Sequence, residues 1–303
     1  MPAPTILPFT DDAIAEAARL IAAGEPVAMP TETVYGLAAD ATNGEAVAKI
    51  YAAKGRPGFN PLIVHVLDLE AAERLGEFSV EARALAETHW PGPLTIVVPR
   101  REDSGIASIV TAGLPTLAIR VPAHPAMRAL LSACGRPLAA PSANASGQIS
   151  PVRAEHVARS LGDRIALVVD GGKSERGLES TIVAATDGPL RLLRRGPVDV
   201  PGAVEGGDKI EAPGMMASHY APSKPLRLDA ITAEDGELLI GYGPVRGDLY
   251  LGGTPLEAAA NLFDLMHQAD AALQPRIAVA PVPGNGLAAA IRDRLKRAAV
   301  PRS

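Results

Sequence analysis

The sequence predicts an α/β protein: a mixed twisted sheet with flanking helices over residues 1–200, a linker over 201–225, and a small open-sheet α/β domain over 226–303. Three observations lead there. Helical and extended hydrophobic periods alternate through the first two-thirds of the chain, as a layered α/β domain requires. The stretch PGAVEGGDKIEAPGMMASHYAPSKP then breaks every period with Gly, Pro and small residues. Beyond it a strand-helix-strand-helix succession resumes.

Taken in order, Thr10 is placed to cap a helix whose Ile14, Ala17, Ala18 and Ile21 share one face, and Gly24 ends it. A short strand follows at 27–30. Residues 44–54 carry Val47, Ile50 and Tyr51 on a common face, and Gly55 and Pro57 stop that helix. The run 62–66 reads as a strand with Ile63 and His65 opposite Leu62, Val64 and Val66. Further strands are expected at 94–98, 116–121, 138–140, 165–170, 181–184 and 190–194, with helices at 80–89, 125–133 and 151–161. Ser150 before Pro151 reads as an N-cap and first-turn proline. In the second unit, strands at 238–242 and 277–280 alternate with helices at 256–273 and 287–299.

Composition narrows the function. Hydrophobic residues at 47% and charged residues at 21% are ordinary for a globular chain, and Gly 29 with Pro 28 stays below the level of low-complexity disorder. A net charge of −5 provides no global basic field for nucleic acid. One Trp, 5 Tyr and 4 Phe are too few for the base-stacking platforms of single-strand binders. The single Cys134 excludes an intrachain disulfide framework and a multi-cysteine zinc site, and reads as a small buried hydrophobe after an apolar helix. No uncharged apolar run reaches the ~18 residues of a membrane span, and the N-terminus lacks the regions of an export signal. A cytoplasmic protein is expected.

Familiar catalytic signatures are missing. Gly171-Gly172-Lys173-Ser174 ends like a phosphate-binding loop, but Leu167 stands where its first glycine belongs, so it reads as a turn. There is no His-Glu-x-x-His, no Gly-x-Ser-x-Gly, and no G-x-G-x-x-G after a strand.

What remains is a set of polar residues punctuating apolar strands. In PTETVYGL, Thr31, Thr33 and Tyr35 occupy alternate positions and face one side if extended; a half-buried strand with a solvated face reads equally well. Lys54 and Arg56 follow at a helix end, where basic residues also serve simply to complement the dipole. With the Gly/Pro turn around them and Asn60 beyond, they suit a polyanion such as a triphosphate. Thr116, Ala118 and Arg120 share a strand face, and a buried arginine there needs an anionic partner, whereas on a surface strand it needs none. The small polar turn APSANASG lets backbone approach a ligand.

In this order, PTETVYGL, KGRP, NPL, TLAIRVP, APSANASG, ESTIV and LLRRG resemble the YrdC-like domain of the threonylcarbamoyl-AMP synthase family. APGMMASHYAP and RIAVAPVPGNGLAAAIRDRLKRAA resemble the linker and C-terminal domain of that family's longer, two-domain form. The resemblance runs from about Thr10 to Ala299.

The resemblance implies an enzyme that makes threonylcarbamoyl-adenylate and pyrophosphate from L-threonine, bicarbonate or CO2, and ATP. The product would pass to the machinery that modifies the adenosine beside the anticodon of certain tRNAs; direct tRNA contact is left open. Because the substrate carbamate is the nucleophile, no Ser, Cys or His nucleophile is needed, and positioning with charge stabilisation suffices. By motif matching, Thr33, Tyr35, His65, Arg120, Ala140 and Ser180 fall where the family holds L-threonine, with Thr31 lining the same pocket. Arg56, Asn60, Thr116, Ser142, Asn144, Ser150 and Arg194 match nucleotide contacts, Arg194 being preferred to Arg195. Lys54 and Arg56 form the signature assigned to catalysis, and Tyr220 matches a linker residue that folds over the nucleotide. Mg2+ would ride on ATP phosphates and water rather than on a protein carboxylate cluster, and Glu32 and Glu179 are not assigned as ligands. The linker departs from the family at Met215-Met216-Ala217, where a basic residue is usual. Two other readings are a YrdC-like nucleotide or RNA binder without synthase activity, and a hydrogenase-maturation carbamoyl transferase. The single cysteine disfavours the second.

Overall fold

A computed structural model describes residues 3–206, 211–212 and 219–300. The linker departure at Met215, Met216 and Ala217 lies outside the described residues. The chain begins β1 (Thr5–Pro8), α1 (Asp11–Ala22), β2 (Val27–Met29), β3 (Gly36–Asp40), α2 (Gly44–Lys54) and β4 (Ile63–His65). It continues through α3 (Leu69–Glu73), α4 (Val80–His89), β5 (Leu94–Pro99), α5 (Ser108–Thr111), β6 (Thr116–Arg120) and α6 (Pro125–Cys134). Then come β7 (Leu138–Ala139), α7 (Ala154–Leu161), β8 (Leu167–Asp170), β9 (Thr181–Ala184), β10 (Arg191–Arg194) and β11 (Val204–Glu205). The eleven strands form one mixed sheet in the order β1-β8-β2-β3-β7-β4-β6-β5-β9-β10-β11. Its centre is apolar on both faces, as burial beneath helices demands.

The expected local chemistry holds at most ends. The Thr10 side chain accepts from the Ala13 amide and caps α1, and Asn43 caps α2 in the same way. Gly55 closes α2 in the left-handed region at φ 58°, which turns the chain sharply toward Arg56.

Two expectations need correction. Residues 31–35 form a tight turn and not a strand, because the Thr31 hydroxyl bonds the Val34 carbonyl at 2.6 Å and curls the segment. Ser150 caps no helix: α7 starts at Ala154 after an extended Arg153, and the Ser150 hydroxyl is taken by Glu179.

The second unit contains β12 (Leu226–Arg227), β13 (Glu237–Gly241), β14 (Leu249–Tyr250), α8 (Pro255–Ala271), β15 (Arg276–Val279) and α9 (Leu287–Ala299). Its four strands are parallel in the order β12-β15-β13-β14. Its core is not closed on itself: Val34, Ile149, Val152 and Leu178 of the large unit pack into it. Gly177, at φ 65°, lies where a Cβ would strike the Ala259 carbonyl, so α8 docks against bare backbone. Around that contact, Arg153 forks onto Asp264 at 2.8 and 3.2 Å, and Lys173 donates to Asn261 at 2.7 Å. The GGKS segment is thus a turn that joins the two units. Among the described residues, no helix is long and apolar enough to cross a membrane.

Candidate functional site

The β2–β3 turn, the end of α2, the strands β4 and β6, and the segments after β7 and before β9 meet around one pocket. Thr31 and Thr33 enter from the turn, their hydroxyls 2.9 Å apart. His65 and Arg120 are Cα partners on the parallel strands β4 and β6, so the register itself sets them side by side. Ala140 and Ser142 line the far wall, where an isolated bridge pairs Ser142 with Gly36. Ser180 stands at the start of β9 and Arg194 at the end of β10; the Arg194 guanidinium donates to the Ser180 carbonyl and hydroxyl at 3.0 Å each. Arg195 turns outward to Glu205, which separates the two adjacent arginines by geometry.

Arg120 is the best-held cation. It donates to the Gly92 carbonyl at 3.2 Å, to the Thr33 hydroxyl at 3.0 Å and to Glu32 at 2.5 Å. Glu32 in turn accepts from the Ala123 amide at 3.1 Å. Burial alone would raise the Glu32 pKa, but the charge and hydrogen bond of Arg120 outweigh it and hold the carboxyl below its ordinary value. The anion that a buried Arg120 requires is therefore supplied within the chain, in part, by Glu32.

Arg56 is held differently. Its Nε and Nη2 donate to the carbonyls of Asn60 and Pro61 at 3.2 and 3.0 Å, and among the described residues it makes no ion pair. Burial pushes its guanidinium down to about 10. Lys54 stands behind the wall: its Nζ donates to the Ser142 and Asn144 carbonyls at 2.6 and 2.5 Å. Burial first, then Arg56, lowers its pKa well below the ordinary lysine value. His65 is driven to about 3 by burial and by Arg120, so its ring is neutral at pH 7, with Nδ1 unpartnered among the described residues.

Other sequence-assigned residues also stand outside the lining. The Tyr35 phenol leaves Thr31 and Thr33 and donates to the Gly172 carbonyl at 2.8 Å, because the turn points it toward the loop after β8. Asn60 is buried beside Arg56, and its carbonyl also takes the Tyr51 hydroxyl at 3.0 Å. Thr116 sits at the outer end of β6, opposite Pro99. The Asn144 amide braces its own loop through the Ala145 and Gln148 carbonyls, and Ser150 bonds Glu179. Cys134 is half-buried on α6, its thiol pushed up to about 11 by burial, away from the pocket.

Sequence reasoning passed over His219 and left Glu179 without a role, whereas it matched Tyr220 to the nucleotide by resemblance. Glu179 borders the pocket and is gripped by Arg294 from α9 at 3.0 Å. His219 enters beside Tyr220, its pKa lowered by burial and by the surrounding cations. Tyr220 adopts φ 64°, is 1% exposed, and carries a hydroxyl with no partner among the described residues. The proximity of these two to Arg56 and Arg194 is legible in sequence only through the HYAP resemblance. With both in place, about 40 Å³ of free space remains, a few waters' worth and far below the usual ~300 Å³ of a small-molecule site.

Among the described residues no group of three or more His, Cys, Asp or Glu side chains is placed to hold a metal ion. Glu179, which lines the pocket, and Glu32, behind Arg120, are each committed to an arginine.

A family model for Sua5, YciO and YrdC, described as "Telomere recombination", matches residues 19–196. A second, "Threonylcarbamoyl-AMP synthase, C-terminal domain", matches residues 178–300. The threonylcarbamoyl-AMP synthase of Bacillus subtilis is 47% identical over 236 residues, 73% of this chain and 68% of that protein. That of Pyrococcus abyssi is 39% identical over 316 residues, 93% of this chain and 92% of that protein. The crystal structure of P. abyssi Sua5 complexed with L-threonine superposes with a TM-score of 0.90 at 36% identity, covering 97% of each chain. Two matching domains in sequence and one matching architecture in space lead to a single conclusion: the chain belongs to the threonylcarbamoyl-AMP synthase family, in its two-domain form.

Proposed function

We propose that this chain joins L-threonine, bicarbonate or CO2, and ATP into threonylcarbamoyl-adenylate, releasing pyrophosphate. The observation that carries this reading is the buried Arg56, with carbonyl partners and no carboxylate among the described residues, facing a pocket that also holds Arg120 and Arg194. A buried cation left to carbonyls is costly, and polyphosphate offsets that cost when it arrives.

The chemistry needs no enzyme nucleophile. The neutral threonine amine adds to CO2 and releases one proton to solvent, giving a carbamate; its oxygen attacks the α-phosphorus of ATP, and the bond to the β,γ-diphosphate breaks with its electrons leaving on pyrophosphate. Arg120 is assigned the threonine carboxylate through the N–H groups not spent on Glu32, Thr33 and Gly92, with Thr33, His65, Ala140 and Ser180 around the amino acid. Neutral His65 suits a pocket that must not protonate the carbamate. Arg56 and Arg194 are assigned the phosphates, where their charge stabilises the developing negative charge. Lys54 acts through the Ser142–Asn144 loop it anchors, and Ser150 and Tyr220 are assigned to the nucleotide. Tyr35 and Asn60 brace the segments around the pocket, Tyr35 through the Gly172 carbonyl and Asn60 beside Arg56, whereas Thr116, at the outer end of β6, is given no contact with substrate. Mg2+ would ride on the ATP phosphates, where it would neutralise part of their charge when bound. The adenylate then passes to a threonylcarbamoyl transferase acting on tRNA, in the cytoplasm.

The test is incorporation of labelled bicarbonate. Purified protein with ATP, Mg2+ and L-threonine should yield a labelled adenylate of threonylcarbamoyl-AMP mass, and a label that never leaves bicarbonate contradicts the reading.

A further inference from the structure

Two side chains of the second unit converge on Ser150, which belongs to the first. Arg294 on α9 is wholly buried, and its Nε donates to Glu179 Oε2 at 3.0 Å. The other oxygen of Glu179, Oε1, takes the Ser150 hydroxyl proton at 2.5 Å. From α8, His267 Nε2 lies 3.1 Å from the Ser150 carbonyl oxygen. Both the backbone and the side chain of Ser150 are thus set from across the interface.

Docking alone does not require this. Arg153 with Asp264, Lys173 with Asn261, and the shared apolar core already join the units, and none of these bonds touches Ser150. A wholly buried arginine is also a poor choice for mere adhesion, since apolar residues of similar volume stabilise as well or better. Beyond its contacts with Asp293 and the Tyr220 ring, it does what an apolar residue does not: it fixes a carboxylate that fixes a hydroxyl.

We propose that Arg294 is a positioning residue of the nucleotide subsite, acting through Glu179 on the Ser150 hydroxyl, so that the C-terminal domain shapes nucleotide binding without touching the nucleotide. This rests on the synthase reading and on the motif match that assigns Ser150 to ATP; the side chain itself is buried beside the pocket, one hydrogen bond from Glu179, which lines it. It also sets the chemistry of the contact. With its proton committed to Glu179, the Ser150 hydroxyl offers only lone pairs. Its counterpart on ATP is therefore a donor, a ribose hydroxyl or the adenine amino group, and not a phosphate oxygen.

The test uses the full chain and follows pyrophosphate release while ATP and L-threonine are varied separately. Arg294→Met should raise the ATP KM on the order of tenfold and the threonine KM by less than about twofold, with partial recovery in Arg294→Lys. Lys173→Met, which loosens the same interface away from Ser150, should behave as wild type. With 2′-deoxy-ATP, 3′-deoxy-ATP and ITP, one analogue should abolish the difference between wild type and Arg294→Met. Equal rises in both KM values, an equal rise in Lys173→Met, or a penalty unchanged across all three analogues overturns the proposal. If Arg294→Met does not fold, Arg294→Lys carries the same comparison. If wild type releases no pyrophosphate, the synthase reading fails instead, and equilibrium dialysis with ATP decides the inference: weaker binding in the variant supports it, unchanged binding overturns it.

Discussion

Nη2 of Arg120 lies 2.5 Å from Oε1 of Glu32, with the two side chains only 4% and 7% exposed. The strand cation is thus preorganised by its own chain, with Thr33 and Gly92 fixing the rest of the fork. Breaking one side of such a pair costs about 3–5 kcal/mol, whereas replacing both sides is often neutral. Glu32→Gln should therefore lower unfolding free energy by up to about 3 kcal/mol and raise the threonine KM roughly tenfold. Adding Arg120→Met should restore much of the stability and none of the activity. Denaturant unfolding beside pyrophosphate release separates the two effects.

Lys54 offers a second separation of stability from activity. Lys54→Met removes a costly buried ammonium but leaves the Ser142 and Asn144 carbonyls without its donors. These opposing effects are each a few kcal/mol, so unfolding free energy should change by less than about 2 kcal/mol. The loop loses its anchor, and kcat/KM for ATP should fall on the order of a hundredfold. Urea titration and initial rates check the pair of outcomes.

Tyr220 holds its ring against Phe263, with centroids 5.6 Å apart, and near the Arg294 guanidinium, while its hydroxyl bonds nothing among the described residues. Tyr220→Phe keeps the ring and removes a buried unsatisfied group. Stability should be unchanged or higher by about 1 kcal/mol. If the hydroxyl meets the nucleotide, as assigned, the ATP KM should rise roughly tenfold in the same variant. Thermal unfolding and ATP titration read the two quantities independently.

Acid should destabilise the fold through its buried histidines. His65 and His156 are both driven to about 3, chiefly by burial. In the unfolded chain they take up protons below ~6.5, while the folded protein takes them up only near 3. Stability is therefore lost as pH falls from ~6.5 toward 3, by about 2 kcal/mol for each such histidine at pH 5. Denaturant unfolding at pH 7 and pH 5 should show that loss, and His156→Asn should shed its share. An equal unfolding free energy at the two pH values contradicts the assignment.

Periodicity revealed most of the scaffold. The last helix at Leu287–Ala299 and the strand at Thr181–Ala184 follow from patterning alone, because local propensity and tertiary packing agree there. Thr5–Pro8 was not expected as a strand: its four residues end on a proline, and only pairing with Leu167–Asp170 makes the assignment. The turn at 31–35 and the uncapping of Ser150 were illegible for one reason. Each is decided by a side-chain hydrogen bond, one to Val34 within the turn and one to Glu179 far along the chain, and periodicity carries neither. Arg294 hides better still, since nothing in RDRLKR separates it from the charged residues beside it until Glu179 is seen opposite. Motif resemblance, by contrast, picked out Arg56, His65, Arg120 and Arg194, all of which line one pocket.

The central claim is that one pocket couples L-threonine and bicarbonate to cleavage of ATP. Pyrophosphate release should be measured with ATP and Mg2+ present and L-threonine and bicarbonate omitted one at a time. The account predicts release only when both are supplied, with Arg56→Ala reducing it to background. Release that proceeds unchanged without L-threonine would contradict the account and point to another acceptor in the same pocket.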